Sequence, residues 1–226
     1  MDIKKENAKL IEFWDQMFKD REPMAIEKSD FDENDKLIGY LKDLGNKSEN
    51  IMDIGTGPGY ALLAIATLLD KPKKLYGIDA SASSILLAQE TALKSGLKGI
   101  QFAQKNAEDL KEIPPLSYDL IICSNTLDVV PYDTSKAIIE EIKRILKKGG
   151  TLLLKINFYL NKELIERLKM EEIDKNTYTM NGIIRGMNLT NEEWIKRFSG
   201  FSLIKTDEYE RIPNGPKDRI IILKKE

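Results

Sequence analysis

Apolar residues follow two different periods along the chain. In the first twenty residues Leu10, Phe13, Trp14, Met17 and Phe18 recur at the spacing of one helical face. Further along, short continuous apolar runs alternate with stretches of helical period. The pattern predicts an N-terminal helix followed by repeated strand–helix units.

Five of the short apolar runs are typical of buried strands, and helical stretches fill the intervals between them. Parallel strands joined by crossover helices produce such an alternation. We therefore predict an α/β fold with a Rossmann-like, doubly wound and mostly parallel sheet. The predicted strands are residues 51–54, 75–78, 100–103, 120–123 and 151–156, and the predicted helices are residues 33–44, 60–69, 82–95 and 135–147. Gly45, Gly96 and Gly149 follow three of these helices, where a left-handed cap favours glycine.

The C-terminal part of the chain has a different pattern. A further helical stretch covers residues 162–169, and Thr190-Asn191-Glu192-Glu193 resembles a capping box at the start of a helix to residue 199. Two final runs, residues 201–206 and 219–223, flank Pro213-Asn214-Gly215-Pro216 and predict a hairpin. The hairpin would complete a seven-stranded sheet with an antiparallel last strand. Residues 157–189 form the least regular part of the chain, and apart from the stretch 162–169 the sequence assigns them no structure.

No linker rich in Pro, Gly or Ser divides the chain, so we expect one compact domain. Within it we predict an N-terminal helical extension over residues 1–45 and a ligand-binding domain over residues 46–226. The apolar stripe of the first helix has two interpretations. It packs on the domain, or it belongs to a mobile lid that excludes water.

Composition excludes several functional classes. Among 226 residues, 35 are basic and 37 acidic, and their scattered distribution gives no electrostatic footprint for nucleic acid. Histidine is absent and Cys123 is the only cysteine, which excludes an intrachain disulfide, Cys/His metal sites and histidine-based nucleophile systems. Because Cys123 lies inside an apolar run, we expect a buried core thiol. Acid–base chemistry is left to Asp, Glu, Lys, Tyr, the thiol and the termini.

Membrane signals are also missing from the sequence. The N-terminal stretch MDIKKENAKL contains no continuous apolar run. The longest apolar tract, residues 61–69, is far below the roughly 20 residues that span a bilayer. We therefore expect a cytoplasmic protein without a membrane partner, and the sequence does not indicate its oligomeric state.

The strongest chemical signal is IMDIGTGPGY at residues 51–60, a predicted strand followed by a glycine-rich turn and a helix. Three alternating glycines let the backbone approach a ligand, and the following helix presents unpaired N–H groups. Asp79 ends the next strand about 20 residues further on, where a carboxylate can accept hydrogen bonds from ribose hydroxyls. This combination predicts an adenosine-type ligand at the switch point of the sheet.

Glycine spacing separates the possible ligands. The loop has the form G-x-G-x-G, whereas dinucleotide sites have G-x-G-x-x-G, and no P-loop sequence is present. At this point the sequence resembles the class I S-adenosylmethionine-dependent methyltransferases, small-molecule members included, over about residues 35–226. The motifs that carry the resemblance are DIGTGPG, YGID, NAEDL, YDLIICSNTLDVV, ILKKGGTLLLKI and LTNEEWIKRFSGFSLIK.

The resemblance implies a site for S-adenosyl-L-methionine, with S-adenosyl-L-homocysteine as the product. Asp53 and the glycine loop would hold the methionine end, and Asp79 would hold the ribose. The loop residues in this group are Gly55, Thr56, Gly57 and Gly59.

The resemblance further implies four contacts beyond the loop. Ala80 would flank the adenine, and the backbone N–H of Ala107 would bind its ring. Asn106 stands where the family commonly has an Asp that accepts from the adenine amino group; its amide oxygen can also accept. Ser124 would place a carbonyl or hydroxyl near the methionine amine.

The family uses the loop after strand four to face the methyl acceptor. Asn125 is therefore a candidate orienting group, and Asp128 and Tyr132 are candidate bases for acceptors that must lose a proton. A helix-capping carboxylate and a surface aromatic residue are the alternative interpretations of the last two. The candidate acceptor-binding residues lie outside the sheet and are Trp14, Phe18, Phe158, Tyr178 and Arg185.

The resemblance implies transfer of a methyl group to an O, N or S atom of a small metabolite. Strand four ends in Ser-Asn-Thr-Leu, which is a poor match to the Asn-Pro-Pro-Tyr of amino-methylating DNA enzymes. A protein substrate stays open. The alternative functions are a non-catalytic module that binds an adenosyl ligand and a nicotinamide-dependent oxidoreductase.

Overall fold

The computed structural model describes residues 2–71, 73–210 and 215–226, in which helices and strands alternate. The helices are α1 (Ile3–Phe18), α2 (Lys36–Asn46), α3 (Tyr60–Leu68), α4 (Ala82–Lys94), α5 (Tyr132–Ile145), α6 (Lys162–Arg167) and α7 (Asn191–Lys196), with short 3-10 helices at Lys28–Asp30 and Ala107–Glu112. The strands are β1 (Asn50–Ile54), β2 (Lys74–Asp79), β3 (Ile100–Gln104), β4 (Tyr118–Ser124), β5 (Leu146–Ile156), β6 (Glu171–Asp174), β7 (Thr177–Met180), β8 (Ile183–Met187), β9 (Phe201–Tyr209) and β10 (Asp218–Lys225).

Seven strands form the main sheet in the order β3-β2-β1-β4-β5-β10-β9. Strands β1 to β5 pair in parallel, and β10 is antiparallel to both of its neighbours. The predicted Rossmann-like fold and its C-terminal hairpin are therefore confirmed. The turn predicted at residues 213–216 begins outside the described residues.

The two faces of the sheet bury separate groups of side chains. Ile121 and Cys123 of β4 pack with α5 and α7, whereas Leu120 and Ile122 pack with α2, α3 and α4. Because helices cover both faces, the central strands have continuous apolar runs instead of an alternating pattern. Cys123 is fully buried, as expected, and burial raises the pKa of its thiol. Within the described ranges, no helix is both long enough and apolar enough to cross a membrane.

Several helix ends differ from the sequence prediction. α2 begins three residues later than predicted because the Asp35 carboxylate accepts hydrogen bonds from the N–H groups of Leu37 and Ile38. Gly45 lies inside α2 rather than after it, and a Cβ there would come within 2.9 Å of Leu69 Cδ1 on the neighbouring segment. The glycine therefore permits close packing and does not end the helix.

α5 covers residues 132–145, so it is shifted from the predicted 135–147. Gly149 has a φ of +73° but belongs to the start of β5, not to a helix cap. The residues before it already pair with β4, because Tyr118 is in register with Leu146. In contrast, Gly96 follows α4 with a φ of +64°, as predicted. The capping box at Thr190 is also confirmed.

Residues 157–189 contain α6, which covers most of the predicted helical stretch 162–169, and a separate antiparallel sheet of β6, β7 and β8, which the sequence pattern left unassigned. Both of its hairpin turns use left-handed backbone: Lys175 and Asn176 have φ of 43° and 61°, and Asn181 and Gly182 have φ of 55° and 73°. An Asn-Gly pair between short strands is a strong signal for a tight hairpin. The sequence therefore contained this signal at Asn181-Gly182.

Candidate active site

A cavity of about 340 Å³ lies at the carboxyl ends of β1, β2 and β4. Strand order reverses at this point, because β1 lies between β2 on one side and β4 on the other. Ligands of open α/β sheets bind in such a crevice, and the volume is in the range of small-molecule sites. Most of the sequence-predicted cofactor residues line it: Asp53, Gly55, Thr56, Gly57, Asp79, Ala80, Asn106, Ala107 and Ser124.

The glycine loop between β1 and α3 is tightly bent. Gly55, Gly57 and Gly59 have φ of +71°, +53° and +87°, a region that L-residues with side chains rarely adopt. A Cβ on Gly55 would lie 2.3 Å from Thr126 Oγ1, and one on Gly59 would lie 2.8 Å from Phe102 Cζ. Gly59 does not line the cavity; it caps α3 and contacts β3 and α4 instead.

Asp53 is buried at the end of β1, with 2% of its surface exposed. Its Oδ2 accepts a hydrogen bond of 2.8 Å from the Thr56 hydroxyl. Within the described part of the chain, no group donates a hydrogen bond to Oδ1. Burial raises the pKa of this carboxyl to about 7, and the nearby charge of Asp79 adds to the increase. The residue thus presents an unsatisfied acceptor at the cavity wall.

Asp79 ends β2 on the opposite side of the glycine loop. Its Oδ2 accepts from the Gly57 N–H and its Oδ1 from the Ser81 N–H, each at 2.9 Å. Burial raises the pKa of Asp79, while these hydrogen bonds act in the opposite direction. The carboxylate is therefore held rigidly, and each oxygen keeps a lone pair for a further donor.

Two further loops complete this side of the cavity. The Lys105 N–H donates to the Asp79 carbonyl at 2.9 Å, which places Asn106 and Ala107 beside the end of β2. After β4, the Thr126 hydroxyl lies 3.1 Å from the Ser124 carbonyl oxygen and 3.3 Å from that of Ile54. These contacts hold Ser124 and Asn125 against the start of the glycine loop.

α1 covers the cavity with one face. The cavity-lining residues of this helix, two of which are acceptor-site candidates, are Asn7, Leu10, Ile11, Trp14 and Phe18. Asn7 exchanges hydrogen bonds with the Thr134 hydroxyl of α5 at 3.0 and 3.2 Å. Asp15 accepts from the Ser81 hydroxyl at 3.0 Å and from the Ser83 N–H at 2.8 Å, at the start of α4. The helix is thus tethered on both sides of the cavity.

Two of the three candidate catalytic residues lie outside the cavity lining, and Asn125 alone belongs to it. Asp128 is 1% exposed, and its Oδ2 accepts from the backbone N–H and side-chain amide of Asn157 at 2.8 and 2.7 Å. The Tyr132 ring contacts the cations of Lys175 and Arg197, which are 4.6 and 4.8 Å from its centroid. Asp128 thus anchors the segment that follows β5, and Tyr132 joins α5 to the small sheet and α7.

The remaining acceptor-site candidates also lie outside the cavity lining. Phe158 follows β5, and the Tyr178 hydroxyl donates to Glu172 on the neighbouring strand at 3.3 Å. The Arg185 guanidinium is 5.4 Å from the Phe13 ring centroid and 5.9 Å from that of Trp14. The structure therefore brings Arg185 to the rings of Phe13 and Trp14, where it joins the β6–β8 sheet to α1.

The cavity also contains residues that the sequence pattern did not predict, including Asn7, Thr126, Thr134 and Lys155. Lys155 carried a usable signal, because it is the single charge within the apolar run TLLLKI of β5. A charge within a buried strand needs a partner, and such residues deserve consideration as site residues. Asn7, Thr126 and Thr134 lack a comparable signal, since polar residues are common in surface helices and loops.

Comparison with known proteins is consistent with this geometry. A family model described as a methyltransferase domain matches residues 45–208. Among curated proteins, the chain is 30% identical over 118 residues to a ubiquinone biosynthesis O-methyltransferase of Paracidovorax citrulli, a match covering 52% of this chain and 48% of that protein. It is 28% identical over 191 residues to the protein-lysine N-methyltransferase EFM4 of Saccharomyces cerevisiae, covering 75% of this chain and 82% of the relative.

Among solved structures, an S-adenosylmethionine-dependent methyltransferase from Methanosarcina mazei superposes with a TM-score of 0.63 at 25% identity. That match covers 78% of this chain and 92% of the other. The matched region spans about half the length of the ubiquinone-pathway relative. The family model nevertheless covers most of the present chain and includes the whole glycine loop and strands β1 to β8. The chain therefore belongs to the class I S-adenosylmethionine-dependent methyltransferases.

Proposed function

We propose that this chain transfers the methyl group of S-adenosylmethionine to an O, N or S atom of a small metabolite. The observation that carries the proposal is the cavity at the switch point, in which Asp53, the glycine loop and Asp79 face a roof formed by α1. The donor site and the acceptor space share this one enclosed volume. The arrangement can hold two reactants next to each other and keep water out.

The polar groups of the cavity fit the methyl donor. Asp53 Oδ1, buried and without a donor among the described residues, matches the α-ammonium group of the methionine end. Asp79, which is fixed by two backbone N–H groups, has acceptor capacity for the ribose hydroxyls. Asn106 and Ala107 also line the cavity and would bind the adenine ring. The donor, when bound, supplies a sulfonium methyl group that is already activated.

The contribution of the protein to the reaction is then alignment and enclosure. Holding the reacting atoms in line supplies on the order of 7–11 kcal/mol of the barrier reduction in well-oriented systems. Ser124 and Asn125 lie at the end of β4, next to the glycine loop, and would position the methionine end and the acceptor. Trp14 and Phe18 contribute apolar surface opposite them. For residues 1–45, this supports the role of a lid over the donor site.

The acceptor class separates two candidate functions. The tethers of α1 to α4 and α5 favour a small acceptor, because a helix across the cavity leaves a protein segment less room to enter. A protein-lysine acceptor is the second candidate, and the match with the yeast protein-lysine N-methyltransferase over 75% of the chain favours it. A module that binds the donor without catalysis is the third outcome to be tested.

Calorimetry and thermal shift with S-adenosylmethionine, S-adenosylhomocysteine and NAD test the donor site. At about 100 times its dissociation constant, a ligand adds roughly 2.7 kcal/mol, which raises the melting temperature by about 5–10 °C for a domain of this size. We expect this shift with the two adenosyl ligands and none with NAD. No shift with any adenosyl ligand would contradict the proposal.

Two aspartates provide a matched pair for the donor site. Asp79→Ala removes the carboxylate at the predicted ribose position. We expect S-adenosylhomocysteine binding to weaken about 100-fold, because the ribose loses its hydrogen bonds to a charged group. Asp128→Ala removes a carboxylate that accepts hydrogen bonds from Asn157 and does not line the cavity. The affinity for S-adenosylhomocysteine should therefore change less than about three-fold, although the free energy of unfolding falls by about 1–3 kcal/mol. Calorimetry and urea unfolding measure the two effects. Equal losses of affinity would refute the separation of roles.

Methyl transfer itself is tested with a radiolabelled donor. The protein is incubated with a metabolite extract and, in parallel, with a protein extract depleted of small molecules. Label in the metabolite fraction supports the proposal, whereas label in protein lysines favours the second candidate. Donor binding without label in either fraction would indicate the non-catalytic module.

A further inference from the structure

Asn125 occupies an unusual position directly after β4. Its φ of 51° lies in the left-handed region, and its backbone N–H donates to the Lys155 carbonyl at 2.7 Å. The side-chain oxygen of Asn125 also accepts a hydrogen bond, from the Lys155 ammonium. Both residues line the cavity. The backbone and the side chain of Asn125 are thus held by the same residue of the neighbouring strand.

The Lys155 ammonium is buried, and a buried carboxylate balances its charge. Its side chain is 5% exposed, and its Nζ lies 2.6 Å from Oδ2 of Asp218, whose side chain is fully buried. A buried charge without a partner is strongly destabilising. Asp218, from β10, therefore provides the partner that a buried lysine at the cavity wall requires.

The lysine determines which way the Asn125 amide faces. An ammonium group has donors only, so the amide must turn its oxygen toward Nζ, and its NH₂ group faces away. Nδ2 is buried, and no group in the described ranges accepts a hydrogen bond from it. A buried donor without an acceptor is costly unless a ligand satisfies it. Asn125 lines the cavity, so a ligand bound there is the candidate acceptor for this donor.

The same cavity contains an unsatisfied acceptor, Asp53 Oδ1. The two groups come from adjacent strands, since Asp53 is in register with Ile122 of β4 and Asn125 follows three residues later. A carboxylate oxygen and an amide N–H backed by an ammonium form a pair of opposite polarity. That pair complements a zwitterionic α-amino acid group, with its ammonium at Asp53 and its carboxylate at Asn125.

We propose that Lys155 is a positioning residue that fixes the Asn125 amide so that Nδ2 donates to the α-carboxylate of the methionine end of the ligand. Asp218 balances the charge of the Lys155 ammonium group. The inference rests on the proposed donor site and adds the group that recognises the carboxylate. It assigns a role in donor recognition to Asn125, which the sequence had indicated as an acceptor-orienting residue.

Two nucleosides test the inference without knowledge of the methyl acceptor. S-adenosylhomocysteine carries the α-amino acid group, and 5′-methylthioadenosine keeps the adenosyl thioether but lacks that group. We expect Asn125→Ala to weaken S-adenosylhomocysteine binding about 10- to 100-fold, the effect of one hydrogen bond to a charged group. The dissociation constant of the Asn125→Ala variant for 5′-methylthioadenosine should change less than about two-fold from that of the wild-type protein. Isothermal titration calorimetry measures both.

The role of Lys155 is tested in a variant that removes both buried charges, Lys155→Met with Asp218→Asn, so that no carboxylate is left unpaired. We expect the same selective loss of S-adenosylhomocysteine affinity. When these two substitutions are combined with Asn125→Ala, the affinity for S-adenosylhomocysteine should fall by less than about a further two-fold, because Lys155 acts through the amide. If Lys155 had a purely structural role, the charge-free variant would bind both nucleosides more weakly, or its loss of affinity would add to that of Asn125→Ala.

Asn125→Asp keeps the inference testable if the charge-free variant fails to fold. The new carboxylate still accepts from Lys155 but turns a second acceptor toward the ligand carboxylate. It should therefore reject S-adenosylhomocysteine more strongly than Asn125→Ala and leave methylthioadenosine binding intact. Unchanged S-adenosylhomocysteine affinity, or equal losses for both nucleosides, would overturn the inference. Failure of the wild-type protein to bind S-adenosylhomocysteine would instead overturn the proposed function.

Discussion

Three aspartates near the carboxyl end of the sheet differ in what satisfies their oxygens. Asp79 accepts from backbone N–H groups, Asp128 from Asn157, and Asp53 from the Thr56 hydroxyl on one oxygen only. Burial raises the pKa of all three. Asp53 and Asp79 reach the cavity, whereas Asp128 does not. The chemical role of each carboxylate thus follows from its neighbours and not from its residue type.

The pKa of Asp53 predicts a pH-dependent affinity. Burial raises it to about 7 in the free protein, so below that pH the carboxyl is protonated and cannot pair with an ammonium group. A bound α-ammonium favours the charged form, and binding then releases a proton. Affinity for S-adenosylhomocysteine should rise between about pH 6 and 8, by at most about ten-fold per pH unit below 7, and level off above.

Calorimetry in two buffers of different ionisation enthalpy measures both the affinity and the proton release. Asp53→Asn is the control, because it keeps the shape of the residue and removes the titration. Its affinity should be lower and independent of pH over the same range. A wild-type pH profile as flat as that of the variant would show that Asp53 does not pair with the ligand ammonium.

At the scale of single elements, the glycine loop shows why three similar residues are not equivalent. Gly55 is enclosed by the Thr126 side chain, and Gly59 by Phe102 and Ala88. Gly57 has no atom within 4 Å of the place where a Cβ would lie, although its φ is also positive. Gly55 and Gly59 thus permit close packing of the protein on itself, while Gly57 borders the cavity without such a neighbour.

This difference predicts different phenotypes for two alanine variants. Gly55→Ala should destabilise the fold by more than about 3 kcal/mol, because left-handed strain adds to a clash at 2.3 Å from Thr126 Oγ1. Gly57→Ala should cost about 1–2 kcal/mol of stability through strain alone. Its methyl group at the cavity wall should nevertheless weaken S-adenosylhomocysteine binding at least about ten-fold.

Urea unfolding gives the stability of each variant, and calorimetry gives the affinity of those that fold. The two substitutions are matched, since both add one methyl group to a left-handed glycine of the same loop. Similar stability losses would mean that the loop relaxes freely around residue 55. Unchanged affinity in Gly57→Ala would mean that the ligand does not approach this part of the loop.

On the scale of the whole molecule, α1 connects parts that are distant in sequence. Asp15 accepts hydrogen bonds from the start of α4, and Asn7 forms hydrogen bonds with Thr134 of α5. The rings of Phe13 and Trp14 contact Arg185 of β8. The N-terminal helix and the β6–β8 sheet therefore support each other beside the cavity. Both lie outside the seven-stranded sheet, although Met187 of β8 packs in the core on one face of that sheet.

These contacts predict that α1 controls ligand exchange. Asp15→Ala removes two hydrogen bonds to Ser81 and Ser83 and should increase the dissociation rate of S-adenosylhomocysteine about ten-fold, the effect of roughly 1.4 kcal/mol. Glu12→Ala removes an exposed acid of the same helix and serves as the control. Stopped-flow displacement measures the rates, and hydrogen exchange should show faster opening of α1 in the first variant only. Equal rates would mean that α1 does not limit exchange.

The residue pattern alone was enough to predict the parallel sheet, the succession of its first five strands and their helices along the chain, and the glycine loop with Asp79. These features are encoded within a few residues each, because strand and helix periods and turn residues act locally. Helix ends were less well predicted, since a cap at Asp35 and the packing at Gly45 depend on single contacts. The Asn-Gly hairpin at residue 181 was encoded locally as well and was overlooked.

Only the tertiary structure decided which polar residues after β4 face the cavity. Asp128 turns away to Asn157, 29 residues further along, and Asn125 turns inward because Lys155 and Asp218 meet across 63 residues. No local pattern encodes such pairs, because burial and hydrogen-bond partners are set by which strands become neighbours. The sequence thus determined where a ligand would bind, and the packing of distant segments decided which side chains would face it.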